Sequence, residues 1–363
     1  YEREILLALA RLGVRVELLM ARGKAIPTGI VGWRVHPFPI RRGLRWPVAL
    51  FLLPPYISRI HDTVGFDVLR AHSLRFIGPA ALWARRRYGL NVPVISHHHH
   101  LDPSLLNPLI EKRVIEHSDH VVTGSEFSRR QLARELGVRT DHVSVVPYGV
   151  DAKFARAPRR PDLITRYGLE GKRVVLFLGG LKGRKNLFLL LDIWREGAAG
   201  HPDARLVVAG GGPLLAGLKA RARRLRIEDR VVFTGYVPEA EKAAHYNLAD
   251  VFLFPSAMEG FGLAVGEAMS SGLPVVASER GSIPEVLLDG EGGFLCDPGR
   301  PETFVARLQL LLSDPPLREK FGRANQERVE RLFRWERCAR ETARVYETVL
   351  EAWRRRAGGR GGG

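Results

Sequence analysis

The chain has 363 residues, 45% of them hydrophobic and 26% charged, which is typical of a soluble globular protein and long enough for two domains. Its two cysteines, Cys296 and Cys338, stand far apart, which argues against a disulfide scaffold and fits a reduced, cytosolic setting. The best candidate for a membrane span, Val48 to Leu53, is cut short by two prolines.

The formal net charge of +17 predicts attraction to anionic partners. Phosphorylated substrates, anionic lipid headgroups and nucleic acid all fit such a charge, and so does a compositional bias toward arginine. The arginines are scattered through amphipathic helices and no recognised nucleic-acid module is present, so no specific nucleic-acid partner is predicted.

The first half alternates between helix and strand patterns. A helix is predicted over residues 1–12, where apolar residues recur at helical spacing and Gly13 follows. Segment 24–66 is rich in proline, arginine and aromatics and is predicted to be irregular, with some helix near 47–62. Strands are predicted at 15–20, 68–71, 92–96, 120–123 and 143–146, with helices at 74–88 and 127–136.

The second half alternates more regularly. Strands are predicted at 173–179, 205–209, 231–235, 251–255, 274–277 and 293–296, and helices at 187–199, 213–226, 239–248, 262–271, 283–288 and 301–313. This alternation predicts parallel sheets with helices on both faces. A linker is predicted near Pro158-Arg-Arg-Pro161, and long charged helices over 315–355. Two such domains would bind a ligand in the cleft between them.

Two glutamates, Glu259 and Glu267, flank a turn with glycines at 260 and 262. The first falls in a loop after a strand and the second in the following helix. In a continuous helix they would stand roughly 12 Å apart, too far for a glycosidase pair. We therefore expect a ligand-binding loop in which the N–H groups at the helix start hold a phosphate and each carboxylate accepts hydrogen bonds from a different set of hydroxyls. An ordinary strand–turn–helix with two solvated glutamates is the alternative.

Further motifs occur in order along the chain. They are Thr123–Leu132, Val145–Asp151, Phe177–Asn186, Gly281–Val286 and Trp335–Tyr346. Together with Glu259–Glu267, this set resembles the retaining glycosyltransferases of family 4 (glycosyl transferases group 1), which have two Rossmann-like domains facing a cleft, the GT-B fold. The sequence departs from the family at Tyr148, where asparagine is usual, and at Gly180, where arginine is frequent and Arg184 or Lys182 would substitute. The family's opening strand and glycine-rich loop are not in this sequence.

The resemblance implies an α/β fold with two doubly wound parallel-sheet domains, the first strand of the first domain being absent. The acceptor-side domain would span residues 1–155 and the nucleotide-sugar domain 165–330. A C-terminal helix over 331–357 would cross back to the first domain. The glycine-rich composition of residues 358–363 separately predicts a disordered tail.

Site residues follow from the chemistry and the resemblance together. Cleavage of a nucleoside-diphosphate sugar leaves a diphosphate whose growing charge Lys185, with Arg184, would stabilise, although both could be solvated loop cations. The family resemblance assigns Glu259 to the sugar hydroxyls and Glu267 to the ribose hydroxyls. The remaining donor-binding candidates are the backbone of Gly235, Tyr236 and Val237 for the base, and Gly260, Phe261, Gly262 and Leu263 near the diphosphate.

Four consecutive histidines, His97 to His100, follow a predicted strand. Neighbours in a strand point to opposite faces, so the four cannot all bind one metal ion. In the family a histidine here lines the cleft near the donor sugar; counting from Pro93 favours His99, with His98 as the near alternative and a histidine-rich loop as the other. No metal site is expected, and Asp102 would be a polar cleft residue.

The resulting prediction is a retaining, metal-independent glycosyltransferase without a cofactor, using a UDP- or GDP-type sugar donor and a saccharide or lipid-linked acceptor. It would work in cell-envelope, polysaccharide or glycolipid synthesis, in the cytoplasm and at an anionic inner-membrane face. The alternatives are a GT-B epimerase or phosphorylase, or an inactive basic binding protein. The glutamate motif argues against an epimerase, and the absence of a recognisable pyridoxal-type lysine motif argues against a phosphorylase.

Overall fold

A computed structural model of the protein describes residues 2–21, 32–38, 48–75, 77–99 and 107–358. The chain forms two compact units: unit 1 consists of Tyr1–Gly149 and Trp335–Gly363, and unit 2 of Val150–Arg334. The boundary lies a few residues before the predicted one. The arginine–proline segment predicted as a linker leads directly into a helix that begins at Pro161.

The elements up to Gly149 are mostly strands joined by helices. They are α1 (Glu2–Arg11), β1 (Val16–Ala21), β2 (Trp33–Phe38), α2 (Val48–Val64), β3 (Leu69–Ala71), α3 (Ile77–Tyr88), β4 (Val94–His98), α4 (Asn107–His117), β5 (His120–Thr123), α5 (Glu126–Leu136) and β6 (Val143–Val145). Strands β3, β4, β5 and β6 form one parallel sheet in that order, and β1 pairs with β2 in a second.

The prediction of an irregular segment over 24–66 is wrong at residues 33–38. Strand β2 runs parallel to β1, with Trp33 opposite Val16 and Phe38 opposite Ala21. The helix predicted near 47–62 forms as α2, which continues through Pro54 and Pro55. Residues 24–31 and 39–47 of that segment lie outside the described residues, as do the predicted tail residues 359–363. Helix α4 was not predicted.

The elements after Gly149 alternate regularly. They are α6 (Pro161–Tyr167), β7 (Arg173–Leu178), α7 (Leu187–Gly197), β8 (Ala204–Ala209), α8 (Leu215–Arg224), β9 (Val231–Gly235), α9 (Lys242–Tyr246), β10 (Val251–Phe254), α10 (Leu263–Ser270), β11 (Val275–Ser278), α11 (Ile283–Val286), β12 (Gly293–Cys296), α12 (Pro301–Ser313), α13 (Pro315–Leu332) and α14 (Trp335–Gly358). All six predicted strands form, each with ends within one residue of the prediction.

The sheet of unit 2 has the order β12-β11-β10-β7-β8-β9, and all its pairs are parallel. This is the doubly wound order, in which the direction of winding reverses between β7 and β10. Five of the six strands are almost wholly buried and the edge strand β9 is partly buried, and Phe177, Phe252 and Phe254 stack in the core at centroid distances of 5.5 to 5.7 Å. The predicted class of parallel α/β sheets is confirmed.

The two last helices belong to different units. Helix α13 closes unit 2, where its buried Asn325 donates to the carbonyls of Leu273 and Gly292. Helix α14 packs in unit 1, where it contacts α1. In the described part of the chain, no helix has both the length and the apolar character needed to cross a membrane.

Candidate active site

The candidate site of unit 2 lies at the carboxyl ends of the neighbouring strands β7 and β10. In a doubly wound sheet, this reversal point is where ligands bind. The loops that follow the two strands are tied together, because the backbone amide of Ala257 donates to the carbonyl of Arg184 at 2.8 Å and the hydroxyl oxygen of Ser256 lies 3.1 Å from the same carbonyl oxygen. The two segments thus form one surface.

Lys185 and Glu259 form a buried ion pair on this surface. The Lys185 Nζ lies 2.5 Å from Glu259 Oε1, and the two residues are only 8% and 7% exposed. Burial lowers the pKa of Lys185, and the adjacent Glu259 carboxylate acts against that shift. The ammonium also lies 4.6 Å from the ring centroid of Phe254, a cation–π contact. A desolvated positive charge is therefore held at the end of β10.

One oxygen of the Glu259 carboxylate is anchored and the other is open. Oε1 also accepts from Ser256 Oγ at 2.6 Å and lies 3.2 Å from Arg184 Nη1. Ser282 donates through its hydroxyl and amide to the Glu259 carbonyl, and a side chain at Gly281 would meet that carbonyl oxygen at 2.5 Å. Among the residues that the structure describes, Oε2 has no hydrogen-bond partner. It is the oxygen available to a ligand.

Helix α10 begins immediately after this carboxylate, at Gly262. Gly262 has φ +86°, which glycine adopts without strain, and no side chain caps the helix. The Val265 amide donates to the Gly262 carbonyl at 2.9 Å, so the amides of Leu263 and Ala264 are the ones available for an anion, and the helix dipole favours negative charge there. Phe261 is buried beside this turn and packs edge-to-face on Phe333.

Glu267 is the fifth residue of α10, about one turn from its start. Its Oε2 accepts a hydrogen bond of 2.8 Å from the hydroxyl of Tyr246, and its Oε1 lies 4.0 Å from Lys242 Nζ. Burial raises the pKa of Glu267, and Lys242 and Tyr246 act against that shift. This second carboxylate, like the first, has one oxygen fixed by a neighbour.

The loops after β8 and β9 complete the edge of the sheet. A Cβ atom at Gly210 would lie 1.9 Å from the Gly179 carbonyl oxygen, so only glycine fits there. The amide of Gly210 donates to the carbonyl of Gly235, which has φ +73°. Beyond Gly235, Tyr236 is exposed and Val237 is buried. The glycines at 210 and 212 were not predicted as site residues, although three glycines directly after a strand are a recognisable signal.

The histidine run lies in unit 1, at the end of β4. His97 and His98 are buried, and the partly exposed His99 is bonded at both ring nitrogens. Its Nδ1 lies 2.6 Å from the Tyr148 hydroxyl, and its Nε2 lies 3.0 Å from the His72 carbonyl and 3.1 Å from Glu2 Oε1. The His72 carbonyl can only accept a hydrogen bond, so Nε2 of His99 carries a proton, and the Tyr148 hydroxyl also donates to the His98 carbonyl at 3.3 Å. His100 and Asp102 lie outside the described residues.

His97 joins a buried polar network of unit 1. Its Nε2 lies 3.1 Å from Arg70 Nε and 2.9 Å from the hydroxyl of Tyr346 on α14. Burial and the Arg70 guanidinium lower the pKa of His97 well below its usual value. Arg70 also pairs with Glu2 at 2.9 Å. The imidazole of His97 is therefore neutral and structural.

The structure thus brings together three of the predicted site residues, Lys185, Arg184 and Glu259, in direct contact. Glu267 forms a second cluster with two residues of α9. In the described ranges, no group of three or more histidine, cysteine or acidic side chains is placed to hold a metal ion.

The sheet order of unit 2, the loop cations and the paired glutamates define the class of GT-B glycosyltransferases. The family model "Glycosyl transferases group 1" matches residues 160–328, and the model "Glycosyltransferase Family 4" matches residues 1–154. The chain belongs to the glycosyl transferases group 1 family, as the motifs predicted.

Individual relatives agree with this. A GDP-mannose-dependent alpha-(1-6)-phosphatidylinositol monomannoside mannosyltransferase of Mycolicibacterium smegmatis is 33% identical over 297 residues, which are 76% of this chain and 75% of that protein. A D-inositol 3-phosphate glycosyltransferase of Kineococcus radiotolerans is 35% identical over 261 residues, 66% of this chain but only 60% of that protein. The solved sucrose-phosphate synthase of Thermosynechococcus elongatus shares the fold with a TM-score of 0.81 at 22% identity, over 97% and 93% of the two chains.

Proposed function

We propose that the protein is a retaining, metal-independent glycosyltransferase that moves a sugar from a nucleoside-diphosphate sugar to an acceptor hydroxyl. The observation that carries this proposal is the buried Lys185–Glu259 pair at the reversal point of the sheet, beside the uncapped start of α10. A cation and free amides at one spot suit a diphosphate, and an open carboxylate oxygen suits a sugar hydroxyl.

Each group has a role in this reaction. Departure of the sugar concentrates negative charge on the diphosphate, which Lys185, Arg184 and the amides of Leu263 and Ala264 would stabilise. These fixed cations take the place of a metal ion. Glu259 would accept a hydrogen bond from a hydroxyl of the donor sugar through Oε2, and Glu267 would accept hydrogen bonds from the ribose hydroxyls. The backbone around Gly235–Val237 would contact the base.

The contacts of Glu259 support a retaining course. Oε1 of its carboxylate is occupied by Lys185, Arg184 and Ser256, so the group is held in place as a hydrogen-bond acceptor and is not free to attack the sugar. We therefore propose substitution on one face of the sugar, with an oxygen of the departing phosphate taking the proton of the incoming hydroxyl. His99 of unit 1 is assigned to the donor sugar. No cofactor is required.

A GDP- or UDP-type donor and a lipid-linked or saccharide acceptor in cell-envelope, polysaccharide or glycolipid synthesis are proposed. The name of the M. smegmatis relative, which specifies GDP-mannose and a phosphatidylinositol mannoside, supports both choices.

The first test is nucleotide binding by the whole chain. Thermal unfolding is measured with UDP, GDP and ADP, each with and without EDTA. One nucleotide at 100 times its Kd should stabilise the protein by about 2.7 kcal/mol, equally in EDTA, and Glu267→Gln should weaken this. Sugar transfer with the matching donor, followed by NMR of the anomeric proton, should show retained configuration. An inverted product would refute the mechanism, and no response to any nucleotide would refute the donor site.

We also propose a cytoplasmic protein that works at an anionic membrane surface. In unit 1, Phe51 of α2 and Trp83 of α3 are 59% and 37% exposed and pack edge-to-face with centroids 5.3 Å apart. The exposed Arg86 and Arg87 follow on α3. Aromatic side chains flanked by arginines suit the boundary between headgroups and acyl chains.

Vesicle flotation tests the surface. The protein should float with vesicles containing phosphatidylglycerol and not with phosphatidylcholine alone, and Phe51→Ser/Trp83→Ser should abolish this. Leu310→Ser is the matched control, since Leu310 is 39% exposed in unit 2. Equal flotation of the double variant and the wild type would remove the membrane from the proposal and leave the transfer reaction untouched.

A further inference from the structure

Tyr246 occupies an unusual place for a core aromatic. It is the last residue of α9 and is fully buried between the rings of Phe154 and Phe252, each with its centroid 5.7 Å away. Its hydroxyl nevertheless reaches α10, where it donates to Glu267 Oε2 at 2.8 Å, with the Ala264 carbonyl further away at 3.3 Å. The contacts with these two rings hold the phenol ring of Tyr246 in place, so its hydroxyl points toward Glu267 in a fixed orientation.

We propose that Tyr246, assisted by Lys242, is a positioning residue that sets the rotamer and the charge of Glu267 for recognition of the donor's ribose diol. The proposal rests on the proposed function, which assigns Glu267 to the ribose. It adds two residues that the sequence motifs do not contain.

The geometry leaves Glu267 a bidentate face. A carboxylate has about four acceptor positions, and Tyr246 fills one of the two on Oε2. Oε1 stands 4.0 Å from Lys242 Nζ, beyond hydrogen-bond distance but within reach of its charge. In the described part of the chain, Oε1 accepts no hydrogen bond. The two adjacent hydroxyls of a ribose need such an acceptor, held at a fixed angle.

The charge of Glu267 also depends on this arrangement. Burial raises the pKa of Glu267, which would make it a poorer acceptor of two hydroxyl protons. The charged groups that face it are Lys242 and Lys153, which lower its pKa, and Glu239, which raises it. Glu239 is itself bonded to both lysines, at 2.7 and 3.1 Å. The Tyr246 hydroxyl donates to the ionised form, and its own pKa is raised well above the usual value, so it stays a donor.

The experiment compares affinities for a nucleoside diphosphate and its 2′-deoxy analogue, using the base that stabilises the wild type. Titration calorimetry is run on the wild type, Tyr246→Phe and Lys242→Met between pH 5 and 8. The wild type should prefer the ribonucleotide about tenfold or more. Tyr246→Phe should reduce this preference to about threefold or less and shift the acid limb of binding upward by roughly one pH unit. Lys242→Met should shift the acid limb and keep most of the preference.

Tyr167→Phe is the matched control. Tyr167 bonds His245 on the same helix α9 at 3.1 Å and has no contact with Glu267. If Tyr246→Phe acted only by removing a hydroxyl hydrogen bond near α9, it and Tyr167→Phe would weaken nucleotide binding alike, and the ribose preference would stay intact. A Tyr246→Phe protein with wild-type preference and pH dependence overturns the proposal. A wild type that binds both nucleotides equally refutes the ribose role of Glu267, and no nucleotide binding at all refutes the proposed function itself.

Discussion

Replacing one partner of the Lys185–Glu259 ion pair should destabilise the fold more than replacing both partners together. Replacing Glu259 with glutamine leaves a buried ammonium without a counterion, for which a loss of about 3–5 kcal/mol of unfolding free energy is expected. Replacing Lys185 with methionine should cost less, about 2 kcal/mol, because Ser256 at 2.6 Å and Arg184 at 3.2 Å still bind the carboxylate. The double variant should lie within about 1–2 kcal/mol of the wild type.

The double-mutant cycle therefore predicts a coupling of at least about 2 kcal/mol. Urea unfolding gives the four free energies, and hydrogen exchange of the β7 and β10 amides reports on unit 2 alone, since two units need not unfold together. Additive effects, within about 0.5 kcal/mol, would refute the claim that the pair is a coupled buried unit.

The pH dependence of Glu259→Gln gives a second readout. Burial lowers the pKa of Lys185, and loss of the carboxylate lowers it further. A lysine with a lowered pKa in the folded state destabilises the fold while it is charged. The deficit of the variant against the wild type should therefore shrink as pH rises above neutrality and Lys185 loses its proton. Sugar transfer should be lost in every variant, whereas nucleotide affinity should survive best in Glu259→Gln.

Two further predictions concern single residues. Gly281→Ala adds a Cβ atom 2.5 Å from the Glu259 carbonyl oxygen at φ +67° and should reduce transfer more than tenfold, about 1.4 kcal/mol; Gly290→Ala, with φ +73° and open space, controls for backbone strain and should retain transfer. Although burial opposes it, the charge of Arg70 lowers the pKa of Glu2 from 4.5 to about 2. Ionised Glu2 thus stabilises unit 1 above pH 4.5, and its contribution is lost as pH falls toward 2. Glu2→Gln should cost roughly 1–2 kcal/mol at pH 7, discounted for a side chain one-third exposed, and nothing near pH 2; an unchanged urea midpoint at pH 7 would contradict this.

The sequence predicted secondary structure correctly where the local apolar pattern matches the burial of the segment in the fold. Every strand of unit 2 is a short apolar run between turn residues, and such a run has few alternatives to a buried parallel strand. In unit 1, β2 was not predicted because Trp33–Phe38 contains two basic residues and a proline, which are untypical of a strand. The segment forms a strand by pairing with β1, and a local sequence pattern does not reveal that pairing. The helix predicted near 47–62 forms as α2 despite its two internal prolines.

The sequence identified candidate residues of the site but did not predict which of them contact one another. The spacing of Glu259 and Glu267 placed one in a loop and one in a helix, as found. It could not reveal that Lys185 pairs with Glu259, since 74 positions separate them. Tyr246 was missed for a related reason: an aromatic at the end of a short helix reads as core, and only the position of α10 gives its hydroxyl a carboxylate.

The division of the chain into units has a consequence for biosynthesis. Unit 2 is one continuous stretch, from Val150 to Arg334, and all six strands of its sheet are available before α14 leaves the ribosome. Unit 1 starts earlier but is completed later, because α14, which packs on α1, follows unit 2 in the chain. The amino-terminal half must therefore wait with an uncovered α1 while the later half folds. The order in which the two units are completed would then reverse the order in which their synthesis begins.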